Sequence, residues 1–97
     1  MFVTIRKYTG CTDVKEVNRI AHAELLPVLR KVPGFRSYVT VDSGNHTLVS
    51  IGIFDSKPSA EAANQRAREI VQKNPAYMKL LPNPPELTVG EVLGEAK

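Results

Sequence analysis

Ninety-seven residues, 42% hydrophobic and 24% charged, describe one ordinary globular domain and leave no length for a second core. No run nears the roughly 20 apolar residues of a membrane span. The opening Met1-Phe2-Val3-Thr4-Ile5-Arg6 lacks the basic lead, apolar stretch and cleavage site of a secretory leader, so a cytoplasmic location is expected. The net charge is +3 and the pI about 9.2. The basic residues are interleaved with Asp13, Glu16, Glu24, Glu61 and Glu69, which describes a solvated mixed surface rather than a stripe for tracking phosphates. Cys11 is the only cysteine, which excludes an internal disulfide and a cysteine-built zinc site.

In chain order, Phe2 to Tyr8 alternates apolar and β-branched residues and predicts a first strand, broken at Gly10. Thr12 or Asp13 caps a helix running to about Lys31, with Glu16 in its first turn. Its buried stripe is expected at Val14, Val17, Ala21, Leu25, Val28 and Val32, and Pro27 is expected to kink it. Pro33-Gly34 ends the helix. Phe35 to Asp42 reads as a second strand, Asp42-Ser43-Gly44-Asn45 as a hairpin turn, and His46 to Phe54 as a third strand. Ser56 caps a second helix, with Pro58 in the first turn, that runs to about Gln72 and is stopped by Asn74-Pro75. A helical turn from Ala76 to Leu81, the stiff Pro82-Asn83-Pro84-Pro85 linker and a fourth strand from Glu86 to Leu93 complete the chain. The order β-α-β-β-α-β predicts an α+β ferredoxin-like sandwich: a four-stranded antiparallel sheet with two helices on one face.

Two helices cover only one face of such a sheet, yet alternation leaves neither face polar. One set is Val3, Ile5, Val39, Val41, Val49, Ile51, Ile53, Val89 and Leu93. The other is Phe2, Thr4, Arg6, Tyr8, Tyr38, His46, Leu48, Ser50, Gly52 and Phe54. A contiguous apolar face of several hundred Å² is uncommon on a soluble monomer, so a homodimer with facing sheets is expected. Ala60, Ala63 and Ala67 line the inner side of the second helix. They are read either as close helix–sheet approach or as space for a small apolar ligand.

Polar residues at buried stripe positions are the candidate site. Asn18 and His22, one turn apart on the first helix, and Asn64 on the second must each find a partner. Either each satisfies a helix–sheet junction, or they face a pocket where His22 also moves a proton. The two histidines, His22 and His46, lack metal-ligand spacing, and no metal is expected. RNA-recognition modules share this strand order but carry aromatic platforms on the third strand. Here that strand ends in the single aromatic Phe54, so no nucleic-acid partner is expected.

Met1-Phe2-Val3, the helix end Leu29-Arg30-Lys31-Val32-Pro33-Gly34-Phe35, and Ser50-Ile51-Gly52-Ile53-Phe54-Asp55-Ser56 running into a capped helix carry a resemblance. Over nearly its whole length the chain resembles the antibiotic-biosynthesis-monooxygenase-like family of dimeric α+β barrels. The resemblance implies a dimer with a pocket between sheet and helices in each subunit. Members include cofactor-independent oxygenases of polycyclic phenols and quinols, haem-degrading enzymes, and many proteins without known activity. This chain has Phe54 where such enzymes often carry tryptophan, and Arg6 where haem-degrading members have an asparagine. Gln72-Lys73-Asn74-Pro75-Ala76-Tyr77 holds no histidine where haem would be ligated, so neither haem nor another cofactor is expected. What carries over is Phe54 as a pocket wall, with Arg6 and Asn64 facing a ligand.

Three functions are weighed. The first is a cofactor-independent monooxygenase of an aromatic or quinol compound, with Arg6 holding a developing oxyanion and His22 or Tyr38 carrying the proton. The second is a non-catalytic dimeric module that binds or senses a small aromatic metabolite. The third, an amino-acid-binding regulatory domain, rests on strand order alone.

Overall fold

The first strand, β1 (Phe2–Tyr8), has the bounds that its alternation predicts. It lies between β3 (Thr47–Phe54) and β4 (Glu86–Glu91), while β2 (Phe35–Gly44) pairs with the far side of β3. The result is a four-stranded antiparallel sheet in the order β2-β3-β1-β4, in the α+β ferredoxin-like arrangement. The computed structural model describes residues 1–96. No helix among them is long and apolar enough to cross a membrane.

The first helical segment is three pieces rather than one kinked helix. α1 (Val14–Ile20) starts at Asp13, whose carboxylate accepts the Glu16 N–H at 3.1 Å. A π turn, Ala21–Leu25, follows, and α2 (Leu26–Arg30) completes the segment. Across the π turn the Leu26 N–H reaches back five residues to the Ala21 carbonyl. Pro27 is the physical reason. It donates no N–H, and its ring crowds the carbonyl four residues back, so the helix widens ahead of it instead of bending at it. The wider turn also rephases the buried row. Leu25 is followed inward by Leu29 rather than by the expected Val28, which is only half-buried.

α3 (Lys57–Lys73) is capped by Ser56, whose hydroxyl accepts the Ser59 N–H at 3.3 Å, and it buries Ala60, Ala63, Asn64 and Ala67. Asn74 caps the short α4 (Pro75–Leu80) through the N–H groups of Ala76 and Tyr77, and Tyr77 is buried. Gly34 adopts φ +89 at the end of α2, with the Ser59 hydroxyl 2.6 Å from where a Cβ would sit. Any side chain there would be both strained and crowded.

Two expectations on the sheet need correction. The β2–β3 hairpin turns at Asn45 and His46, both with positive φ (53 and 57), and not at Asp42 to Asn45. A two-residue turn of this sort matches the strand twist, and it presents the His46 carbonyl to the Cys11 N–H at 2.9 Å. His46 therefore belongs to the turn, not to the inner face of β3. The second correction concerns β4, where Leu87 pairs across from Arg6 and Val89 across from Thr4. Directly opposed antiparallel residues share a face, so Val89 lies on the helix side and not with Val3 and Ile5. Leu93 lies beyond the strand and is 94% exposed.

Between sheet and helices the core falls into two apolar clusters. One gathers Tyr8, Cys11, Val17, Ile20, Ala21, Leu48, Tyr77 and Leu81. The other gathers Leu25, Leu29, Val32, Phe54, Ala60, Ala63 and Ala67. Thr4, Arg6, Ser50 and Asn64 are buried polar groups of the same layer. On the opposite face Val3, Ile5, Val49, Ile51 and Ile53 are half-buried, and Val39 and Val41 are exposed.

Candidate functional site

Arg6 sits in the middle of β1, with Ser50 beside it on β3 and Leu87 on β4. Its position in the alternation turns it under the helices, where it is 8% exposed. From there Nη2 donates to the Asn64 Oδ1 at 2.7 Å and to the Asn64 carbonyl at 3.2 Å. Asn64, itself buried, is held on the inner face of α3. No carboxylate among the described residues pairs with this guanidinium. The ion pairs there, Arg19 with Glu16 and Arg36 with Asp55, are at the surface. A buried cation with two neutral acceptors and no counter-ion is costly in a fold of this size.

Beside it opens a pocket of about 210 Å³, lined by Arg6, Tyr8, Ala67, Arg68, Val71, Gln72, Pro85 and Leu87. The α3 contribution follows from helical spacing: Ala67, Arg68, Val71 and Gln72 continue the face that begins at Asn64. β4 and the proline linker supply the outer wall. Larger hollows of about 520 Å³, beside Asp42 and beside Glu24, are shallow and open to solvent.

Burial raises the pKa of Tyr8, Tyr38 and Tyr77, and the charge of Arg6 opposes that rise at all three. Two consequences follow. Tyr8, which lines the pocket, stays protonated at neutral pH. The field of Arg6 reaches phenolic oxygens throughout this part of the interior.

Of the six candidate residues, Arg6 and Asn64 meet under α3. Asn18 and His22 lie instead at the β2 edge and share one partner: the Thr40 hydroxyl donates to the Asn18 Oδ1 at 2.6 Å and lies 3.3 Å from the His22 Nε2. His22 is exposed, and its ring meets Tyr38 edge-on with centroids 6.0 Å apart. Asn18 borders a separate groove between α1 and β2. Phe54, 1% exposed, packs edge-on against Phe35 in the apolar core. Phe54, Tyr38 and Asn64 are not among the residues lining the pocket beside Arg6, and Asn64 is tied to it through its bond to Arg6. Sequence reasoning missed Tyr8, Arg68, Gln72 and Leu87. Tyr8 shares the parity of Arg6, and Arg68 and Gln72 stand four and eight residues beyond Asn64, so a signal existed for those three. The side on which Leu87 falls depends on strand register. No group of three or more His, Cys, Asp or Glu side chains comes together as a metal site among the described residues.

No protein-family model matches the chain, and no curated protein matches its sequence. Its fold, however, recurs among solved structures. A monooxygenase from the gene ActVA-Orf6 of Streptomyces coelicolor, solved with the ligand nanaomycin D, superposes with a TM-score of 0.78 at 19% identity, over 99% of this chain and 90% of that one. A candidate antibiotic biosynthesis monooxygenase of Chloroflexus aurantiacus gives 0.70 at 16% identity, over 99% and 96%. A dimeric ferredoxin-like protein from an uncultured marine organism gives 0.70 at 15%, over 98% and 97%. At these identities the likeness is one of fold.

Proposed function

We propose that the pocket beside Arg6 binds a small electron-rich phenol or quinol and that the chain is a cofactor-independent monooxygenase of such compounds. The observation that carries this reading is the buried guanidinium without a carboxylate partner, at the wall of a pocket that Tyr8, Ala67, Val71, Pro85 and Leu87 line beside the polar Arg68 and Gln72. A cation in that position completes itself with a ligand oxyanion. At about 4 Å and an effective dielectric of 20 the pair is worth about 4 kcal/mol, or three pKa units. That lowers a bound phenol toward neutral pH and offsets part of the rise that burial causes.

Ionisation is the useful step, because a phenolate gives up electrons to dioxygen far more readily than a phenol. In the overall reaction a quinol and O2 yield a hydroxyquinone and water. One oxygen atom replaces a ring hydrogen, the other leaves as water, and the quinol itself supplies all four electrons. Arg6 stabilises the developing oxyanion, Asn64 orients Arg6, and Tyr8 donates a hydrogen bond to the same oxygen. The fold shared with a monooxygenase supports the assignment.

The same proposal includes a dimer. The open sheet face of Val3, Ile5, Val39, Val41, Ile51 and Ile53 is apolar, and a second copy packed on it through a twofold axis removes that area from water.

Hydroquinone incubated with the protein under labelled dioxygen tests the activity. One labelled atom is expected in the quinone product and one in water, at a rate well above autoxidation and lost in Arg6→Gln. Binding of hydroquinone without turnover overturns the enzyme and leaves a binding module.

A further inference from the structure

Two guanidinium groups line the same small pocket, and no carboxylate does. Arg6 enters from β1. Arg68 enters from α3, one turn beyond the Asn64 that holds Arg6. Arg68 is exposed and makes no ion pair among the described residues. The pocket thus presents one buried positive charge and one exposed one, with the apolar Val71 and Leu87 among its other walls.

Size restricts what lies between those charges. A cavity of roughly 150 Å³ is filled by benzene. At about 210 Å³ this one surrounds a single ring and a few substituent atoms, and three fused rings would project past its rim. Charge restricts the substituents. A phenolate satisfies one guanidinium, and the second is matched by a carboxylate, which arginine binds through two parallel N–H···O bonds.

We infer that the ligand is a one-ring hydroxylated aromatic acid, its ring hydroxyl toward Arg6 and its carboxylate on Arg68. This rests on the phenol-binding reading above and narrows it to an anionic, single-ring class. Arg6 then serves the reacting oxygen, and Arg68 serves specificity, because a neutral quinol leaves it in solvent.

Anaerobic calorimetric titration with 2,5-dihydroxybenzoate, hydroquinone and the three-ring 1,8-dihydroxyanthraquinone decides the matter. The acid is expected to bind at least tenfold tighter than either hydroquinone or the three-ring compound at low salt. Arg68→Gln, on an exposed helix face, removes the preference for the acid, and Arg68→Lys restores part of it. Equal affinity for acid and hydroquinone, an Arg68→Gln variant that keeps the preference, or tighter binding of the three-ring compound overturns the inference and leaves the phenol pocket standing. Failure of all three compounds to bind overturns both.

Discussion

Replacing Arg6 by methionine separates what the guanidinium does for the fold from what it does for a ligand. Methionine has a similar length and no charge, so the change removes the two Nη2 hydrogen bonds to Asn64 and the buried cation together. The Asn64 carbonyl lies inside α3 and keeps its helical partner, which leaves the Oδ1 as the one orphaned acceptor. An unmet buried acceptor costs about 1–3 kcal/mol. Against that stands the desolvation of a cation with no counter-ion, several kcal/mol even after relaxation, and the 8% exposure of Arg6 leaves little water to relieve it. Desolvation is the larger quantity. Arg6→Met is therefore expected to leave stability unchanged or to raise it by about 1 kcal/mol, which for a domain of this size moves Tm up by about 4–8 °C. Urea and thermal unfolding at fixed protein concentration measure it, beside titration with hydroquinone, whose binding should be lost. Adding Asn64→Leu removes the orphaned acceptor and is expected to gain roughly another 1 kcal/mol. A loss above about 2 kcal/mol in Arg6→Met would falsify the reasoning, since Arg6 would then be part of the scaffold and not a group kept for a ligand.

Two further outcomes are expected. The open sheet face makes the chain sediment at about twice 10.7 kDa at micromolar concentration, and Ile51→Lys, at the centre of that face, yields a monomer with the same far-ultraviolet circular dichroism; a monomeric wild type removes the facing-sheet arrangement. All three tyrosines are held above the ordinary phenol range by burial, so below pH about 10 their contribution to stability is constant. Above that the unfolded chain releases protons the native one retains, and stability falls as pH rises. Tyrosinate absorbance should thus appear together with loss of structure, and a reversible native titration of any tyrosine at its ordinary pKa contradicts the burial argument.

What the sequence made legible tracks how local each determinant is. β1 and its inner face were readable because alternation over seven residues suffices, and the caps at Asp13 and Ser56 because each closes a bond within three residues. The turn at Asn45-His46 was misplaced by two residues, since what selects it is the bond from Cys11, more than thirty positions away in the chain. β4 was misphased for a similar reason. Leu87 and Val89 alternate with Glu86 and Thr88 acceptably on either face, and only pairing with β1 decides between them. Within the candidate site, Asn64 stood out as a polar group at a buried position and Arg6 entered through the family resemblance, but their contact spans 58 residues. Asn18 and His22 were recognisable as sharing a partner, being one helical turn apart. That the partner is Thr40 needed the position of β2.

β4 is an edge strand, hydrogen-bonded to β1 alone and exposed along most of its length. The outer wall of the pocket, Pro85 and Leu87, therefore hangs from a single ladder of bonds at the end of a proline-stiffened linker. Peeling back the first residues of that ladder opens a way to Arg6 without disturbing either apolar cluster. For the ligand proposed above, entry and departure would then cost what fraying an edge costs, far less than global unfolding. Residence time and overall stability become independent properties: substitutions that tighten the core leave the exchange of ligands untouched, while changes in residues 82–87 retune it.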